Sequence, residues 1–111
     1  MKDPECIFCK IINKEISADI VYKDKMVVVF RDIQPRAKVH LLLIPHLHIP
    51  SLEQLEQEHQ NLIRHMILLL PKLAHSQGLN TGFRTIINTG PAGGQEINHL
   101  HIHLLGGDSI E

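Results

Sequence analysis

Tryptophan is absent from this chain of 111 residues, and one tyrosine with three phenylalanines brings the aromatics to only 4%. Proteins that hold single-stranded nucleic acid stack its bases on such rings, so that platform is missing. A basic field is missing too: eleven Lys and Arg stand against twelve Asp and Glu, a formal charge of −1, which leaves nothing to hold a nucleic-acid backbone. No apolar run reaches membrane-spanning length, and Met1-Lys2-Asp3-Pro4-Glu5-Cys6 lacks the apolar stretch of a secretory signal. The expectation is a cytoplasmic protein with no nucleic-acid and no membrane partner. Repeats and low-complexity segments are also lacking. With 43% hydrophobic and 21% charged residues, the composition is that of an ordinary globular chain, and at this length residues 1–111 suit a single domain.

Cysteine is scarce, Cys6 and Cys9 being the only two. In a reducing compartment a C-x-x-C pair points to metal or to redox work before a structural disulfide, with buried free thiols as the plain alternative. Histidine, by contrast, is abundant at nine residues.

Periodicity supplies the elements. Ile7, Phe8, Ile11 and Ile12 fall at helical spacing within Cys6 to Asn13, a short N-terminal helix. Ile20 to Lys23 and Met26 to Arg31 are rich in β-branched and aromatic residues and flank the turn pair Asp24-Lys25, a hairpin. Pro35 makes Asp32 to Arg36 a loop, Val39 to Ile44 a third strand, and Pro45 its stop. A long helix is expected from Ser51, capped by its hydroxyl, with Glu53 and Glu56 at the positive end of the dipole. Leu52, Leu55, Leu62, Met66, Leu70 and Leu73 mark its apolar stripe, Pro71 should bend it or interrupt its bonding, and Gly78 should end it. Phe83 to Asn88 and Asn98 to Leu105 read as the last two strands, closed by Gly106-Gly107. The class is α+β: a five-stranded, mainly antiparallel sheet with one short N-terminal helix and one long helix.

In the last strand, alternation puts His99, His101 and His103 on one face and Leu100, Ile102 and Leu104 on the other, core-facing side. An open face of three imidazoles can be merely a solvated edge, a His-x-His metal site, or a catalytic relay in which one neutral ring attacks while its neighbours orient and donate protons. The preceding loop Asn88-Thr89-Gly90-Pro91-Ala92-Gly93-Gly94-Gln95-Glu96 favours the relay, because its glycines let backbone N–H groups approach an anion closely.

The run His99-Leu100-His101-Ile102-His103-Leu104-Leu105 resembles the signature of the histidine triad family. The resemblance extends over Cys6-Ile7-Phe8-Cys9-Lys10-Ile11-Ile12, Phe30-Arg31-Asp32-Ile33, His40-Leu41-Leu42-Leu43-Ile44-Pro45 and Gly93-Gly94-Gln95, nearly the whole chain. It is nearest to the nucleoside phosphoramidase branch. The likeness implies that His101 attacks the α-phosphate of a nucleotide and carries a covalent nucleotidyl intermediate that water releases. It implies that His103 contacts the phosphate, His99 orients the nucleophile and His40 completes the hydrogen-bonded chain. Asn88, Gly94, Gln95 and Glu96 fall around the phosphate and leaving group, Asp32 at the ribose hydroxyls, and Phe8, Ile16 and Ile33 around a purine base. At Glu96 many eukaryotic members carry a serine linked to leaving-group protonation, and only Asp108-Ser109-Ile110-Glu111 follow Gly107 where relatives have a longer tail. The first departure leaves the protonation of the leaving group open, and the second implies a broader or different substrate preference.

Some bacterial members of the family, and related uridylyltransferases, resemble this chain in a cysteine pair with two histidines. Carried over, that implies a structural zinc ion on Cys6, Cys9, His48 and His99, while His46 and His59 are left as exposed residues. The likeness also implies a homodimer joined through the long helix and fourth strand. The expected activity is a purine nucleoside 5'-phosphoramidase acting on a nucleotide or nucleoside phosphoramidate. The alternatives are a dinucleoside polyphosphate hydrolase and a zinc-stabilised nucleotide-binding scaffold.

Overall fold

The computed structural model describes residues 3–107. In chain order it contains α1 (Ile7–Ile12), β1 (Ile20–Lys23), β2 (Val27–Arg31), β3 (Val39–Pro45), α2 (Gln60–Ser76), β4 (Arg84–Ile86) and β5 (Ile102–Gly106). The strands form one sheet in the order β1-β2-β3-β5-β4, every neighbouring pair antiparallel, so the expected α+β architecture is the one that forms. The short tail Asp108-Ser109-Ile110-Glu111 lies outside the described residues. Among the described residues, no helix is long and apolar enough to cross a membrane.

Each face of the sheet has its own apolar layer. Val27, Val29, Leu41, Leu43, Ile102 and Leu104 pack with Leu62, Met66, Leu69, Leu70 and Leu73 of α2. Val28, Phe30, Leu42 and Ile44, one residue out of step, pack with Cys6, Phe8 and Cys9 at α1. The two-residue period of a strand dictates this division, and a strand covered on both faces must be apolar throughout, as β3 is. Each fully buried Val or Leu contributes about 1.5–3 kcal/mol. The histidine face was expected to be open; α1 and the segment leading into it cover its His99 and His101 end instead, while His103 stays partly exposed.

The long helix does not begin at Ser51. Ser51 Oγ accepts from Glu53 N–H at 3.1 Å and caps only a single 3-10 turn, after which Leu55 is extended at φ −69°, ψ 142°. Glu53 and Glu56 therefore precede the helix by several residues. A second turn, Gln57–His59, leads into Gln60, where Glu56 and His59 cap each other, Glu56 N–H donating to His59 Nδ1 at 3.0 Å. The helix then continues past Pro71 to Ser76, because Leu69, Leu70, Leu73 and Ala74 on both sides of the proline are buried against the sheet while Pro71 itself is exposed. Gly78 does end the helical segment, at φ +83°, where a β-carbon is strained.

The sheet's ends also differ from the periodic reading. β4 holds only three residues, since its ladder with β5 runs from Arg84 opposite Leu105 to Ile86 opposite His103 and no further. β5 starts at Ile102 rather than Asn98, because Leu100 N–H donates to Ile49 C=O at 2.7 Å and His99 N–H to Ile97 C=O at 2.9 Å, outside any ladder. His99 and His101 thus lie in the extended approach to the strand.

Asp24 is more than a turn residue. Its Oδ1 accepts Met26 N–H at 2.8 Å and Val27 N–H at 2.9 Å, and its Oδ2 accepts the Tyr22 hydroxyl and lies against His65 Nε2, both at 2.7 Å. The hairpin is thereby tied to α2. Partial burial opposes the charge, yet the bonds from Tyr22, Met26, His65 and Val27 win and hold this carboxyl well below the usual carboxylate range. A carboxyl depressed in the fold adds stability above its unfolded value of about 3.9, and that contribution is lost as the pH falls below it. Asp24→Asn is expected to lower stability by about 1–2 kcal/mol at neutral pH and to flatten its fall in acid, read from urea midpoints at pH 7 and pH 3. His46 is likewise engaged, its Nε2 donating to Asp24 C=O at 2.9 Å, so neither His46 nor the helix-capping His59 is a free surface residue.

Candidate functional site

Cys6 is the N-cap of α1 and Cys9 stands one turn on, its N–H donating to Cys6 Sγ at 3.3 Å, so the three-residue spacing turns both thiols to the same side. Facing them are His48, from the segment after β3, and His99, which is fully buried. His99 Nδ1 lies 3.3 Å from Cys6 Sγ, 3.6 Å from Cys9 Sγ and 3.1 Å from His48 Nδ1, and Cys9 Sγ lies 3.3 Å from His48 Nδ1. A tetrahedron with Zn–N of about 2.05 Å and Zn–S of about 2.3 Å has edges of roughly 3.3–3.8 Å, so four donor atoms here stand near the corners of one.

The chemistry of the donors agrees. His99 Nε2 donates to Pro45 C=O at 2.9 Å, which fixes the tautomer and leaves the Nδ1 lone pair toward the thiols. Burial pushes His99 down to about 4, so the ring is neutral near pH 7, and burial with its neighbour Cys9 pushes the Cys6 thiol up. Two thiol sulfurs and two imidazole nitrogens are a donor set that a tetrahedral cation binds as thiolates and neutral rings. These four residues fit a tetrahedral metal ion such as zinc.

His99 has a second connection, through its backbone. Its carbonyl accepts from His101 Nδ1 at 2.7 Å, so Nδ1 carries the proton of the neutral ring and Nε2 keeps the lone pair. The expected orienting role of His99 is therefore served by its main chain, while its ring faces the cysteines. His101 is only 6% exposed, and Phe8 packs edge-on against it with centroids 5.2 Å apart. Phe8 backs the histidine from within the core and presents little surface of its own.

His40, on β3, has its Nε2 2.9 Å from His103 Nδ1 and 3.4 Å from Asp32 Oδ2, while Arg36 N–H donates to His40 Nδ1 at 3.1 Å. Burial, then the neighbouring His101, His40 and Arg36, pushes His103 down to about 4; burial also lowers His40. Both rings are neutral near pH 7. Asp32 Oδ1 accepts Gln34 N–H at 2.9 Å, which shapes the β2–β3 loop around it.

A cleft of about 520 Å³ opens beside these rings, and His101, His103, Asp32, Ile33, Phe8, Ile16, Asn88, Gly94 and Glu96 all line it. Its size suits a nucleotide-sized ligand. Ile33 is 92% exposed at the mouth, so it can enclose a ligand only once one is bound. Asn88 Nδ2 donates to Gly93 C=O at 2.8 Å and steadies the glycine loop, where Gly94 takes φ +80°. Gln95 is absent from the lining: its amide donates to Pro50 C=O at 2.7 Å and Ile97 C=O at 2.9 Å and its oxygen accepts Gly90 N–H, so it braces the loop from behind. Arg36, Ile97, Ile11 and Ala18 line the cleft without having been singled out. Ile97, an apolar residue between the glycine loop and the histidines, was the readable signal among them.

The family model described as "Scavenger mRNA decapping enzyme C-term binding" matches residues 5–110. Among curated relatives, the chain is 47% identical over 104 residues to a purine nucleoside phosphoramidase of Escherichia coli strain K12, covering 93% of this chain and 87% of that protein. It is 40% identical over 109 residues to a 14 kDa zinc-binding protein of Zea mays, covering 96% and 85%. Among solved structures, a histidine triad protein from Clostridium difficile superposes with a TM-score of 0.94 at 40% identity, over 100% of this chain and 97% of the other. A HIT family hydrolase from Legionella pneumophila gives 0.92 at 42% identity, over 95% of each. With a family model matching residues 5–110 and relatives aligned over nearly its whole length, this chain belongs to the histidine triad (HIT) family.

Proposed function

We propose that this HIT protein is a purine nucleoside 5'-phosphoramidase that works through a covalent nucleotidyl-histidine. The observation that carries the reading is the 2.7 Å bond from His101 Nδ1 to the His99 carbonyl, which leaves Nε2 as the lone-pair nitrogen of a side chain lining a nucleotide-sized cleft. Nε2 attacks the α-phosphorus, the P–N bond to the leaving amine breaks, and the amine departs with the electron pair and takes a proton from solvent, which the attacking water returns in the second step. Water then attacks the same phosphorus, the N–P bond to His101 breaks, and nucleoside monophosphate leaves with the ring neutral again. Splitting one displacement into two gives each step a better nucleophile or leaving group. His103 donates to a phosphate oxygen, and Asp32 receives the ribose hydroxyls. Comparing kcat/KM on adenosine phosphoramidate and on diadenosine tetraphosphate tests the assignment. A preference for the first is expected, and a reversed preference moves the protein to the dinucleoside polyphosphate branch.

The four-residue cluster Cys6, Cys9, His48 and His99 holds zinc in this reading, supported by the donor geometry and by the zinc-binding relative from Zea mays. A bound ion there stabilises the thiolates and fixes the backbone of His99; it takes no part in the displacement. The chain works as a homodimer. Support comes from Ile67 and Leu68 of α2, 47% and 60% exposed, and from Phe83 next to the edge strand β4, apolar surface that a second copy would cover. A monomer by sedimentation at micromolar concentration contradicts this.

A further inference from the structure

Two groups of metal-capable side chains lie close together, Cys6-Cys9-His48-His99 and Asp32-His40-His103, and in each the candidate ligand atoms lie within 4.8 Å of one another. By distance alone both are metal sites. What separates them is the other nitrogen of each ring, because a neutral imidazole has one donor and one acceptor nitrogen and a metal can take only the acceptor. For His99 the partner of Nε2 is a carbonyl, which only accepts, so the lone pair is left facing the thiols. For His40 the partner of Nδ1 is the Arg36 backbone N–H, which only donates, so Nδ1 accepts and Nε2 carries the hydrogen. That hydrogen points into the cluster, 2.9 Å from His103 Nδ1. A second hydrogen on His103 Nδ1 would face it head on, so His103 Nδ1 accepts and its Nε2 carries the proton.

We propose that the Arg36 main-chain N–H sets the tautomers of the His40–His103 pair, making His103 Nε2 a fixed hydrogen-bond donor for the substrate's phosphate and keeping divalent cations off the Asp32-His40-His103 group. Arg36 is thus a positioning residue acting through its backbone, a role that rests on the reading of His103 as the phosphate contact. The loop is built to deliver this N–H: Asp32 N–H donates to His40 C=O at 3.0 Å and Gln34 N–H to Asp32 Oδ1 at 2.9 Å, folding residue 36 back onto a histidine four positions on. His40 is 3% exposed, so in the folded protein its Nδ1 is served by this amide rather than by bulk water. A cation on His40 Nε2 would force a proton onto Nδ1, leaving two buried donors face to face.

The test reads the ring nitrogens directly. Long-range 1H–15N spectra of the wild-type protein are expected to show His40 Nδ1 as the unprotonated nitrogen; a protonated Nδ1 overturns the proposal without any variant. Arg36→Pro deletes the N–H, and Arg36→Ala, which keeps it, is the reference for loss of the guanidinium. Relative to Arg36→Ala, Arg36→Pro is expected to move His40 out of the Nδ1-acceptor form and to bind Zn2+ beyond the first equivalent at least tenfold more tightly, measured by titration with zinc chloride. Equal tautomers and equal zinc binding in the two variants overturn it. These readouts stand without turnover, so a wild-type protein inactive on phosphoramidates defeats the proposed function and leaves the role of Arg36 to be judged on its own.

Discussion

Replacing His101 with alanine should lower kcat on adenosine phosphoramidate by about 10⁴-fold or more, about 5.5 kcal/mol of lost transition-state stabilisation, while the nucleotide Kd stays within about threefold. The split follows from the geometry. Nε2 of His101 is the atom proposed to form the new bond to phosphorus, whereas the cleft's other walls, at Asp32, Ile33, Asn88 and Gly94, are untouched by the change. Truncating a buried ring packed on Phe8 also costs stability, on the order of 2–3 kcal/mol, so an unchanged far-UV spectrum is needed before rates are compared. Rapid quench of wild-type enzyme should trap a nucleotidyl-protein adduct that the variant lacks. Turnover surviving in a folded His101→Ala protein would remove the nucleophile assignment.

Stripping metal with a chelator, or substituting Cys9→Ser, should lower Tm by at least about 10 °C and reduce activity with it. The purified protein should carry about one zinc per chain by elemental analysis. Loss of a few kcal/mol at a structural site shifts the Tm of a domain this size by several degrees per kcal/mol. Activity falls for a connected reason: the carbonyl that holds His101 Nδ1 belongs to His99, whose ring is one of the four donors. Cys9→Ser at half-saturating zinc should therefore regain rate and Tm together. A metal-free preparation that is equally stable and equally active would exclude the site's structural role.

Much of this was readable because alternation and burial coincide. β1, β2 and β3 form close to where the β-branched runs lie, and the histidine and leucine faces of the last segment separate as a two-residue period demands. The long helix was misplaced at its start for a concrete reason. Leu52 and Leu55 fit helical spacing, yet the chain turns twice in 3-10 form before Gln60, and no periodic rule distinguishes two separate turns from a first turn of helix. The cover over the histidine face could not be read from periodicity, since only tertiary packing puts Phe8 against residues about ninety positions away; it was the resemblance that brought Cys6 and Cys9 to His99. The resemblance named the histidines and the cysteines, but which nitrogen of each ring is free depends on Pro45, His99 and Arg36 backbone groups that side-chain motifs do not record. Gln95 shows the converse: a residue in the right loop, fully engaged in holding that loop.

The strand order has a consequence for how the molecule is made. β5 follows β4 in the chain, yet it sits between β3 and β4, so β4 has no strand to pair with until β5 has been made. Before then the nascent chain can assemble β1, β2 and β3 by local hairpins, with α2 and β4 left waiting. The contacts between Cys6 and His99 span 93 residues and close at the same late moment. Low-cost local pairing comes first and the long-range closure last, which is the slow step expected of such a topology. Sheet insertion, closure of the cysteine cluster and the seating of His101 against the His99 carbonyl thus become one event, and a chain stalled a few residues short carries an open sheet edge.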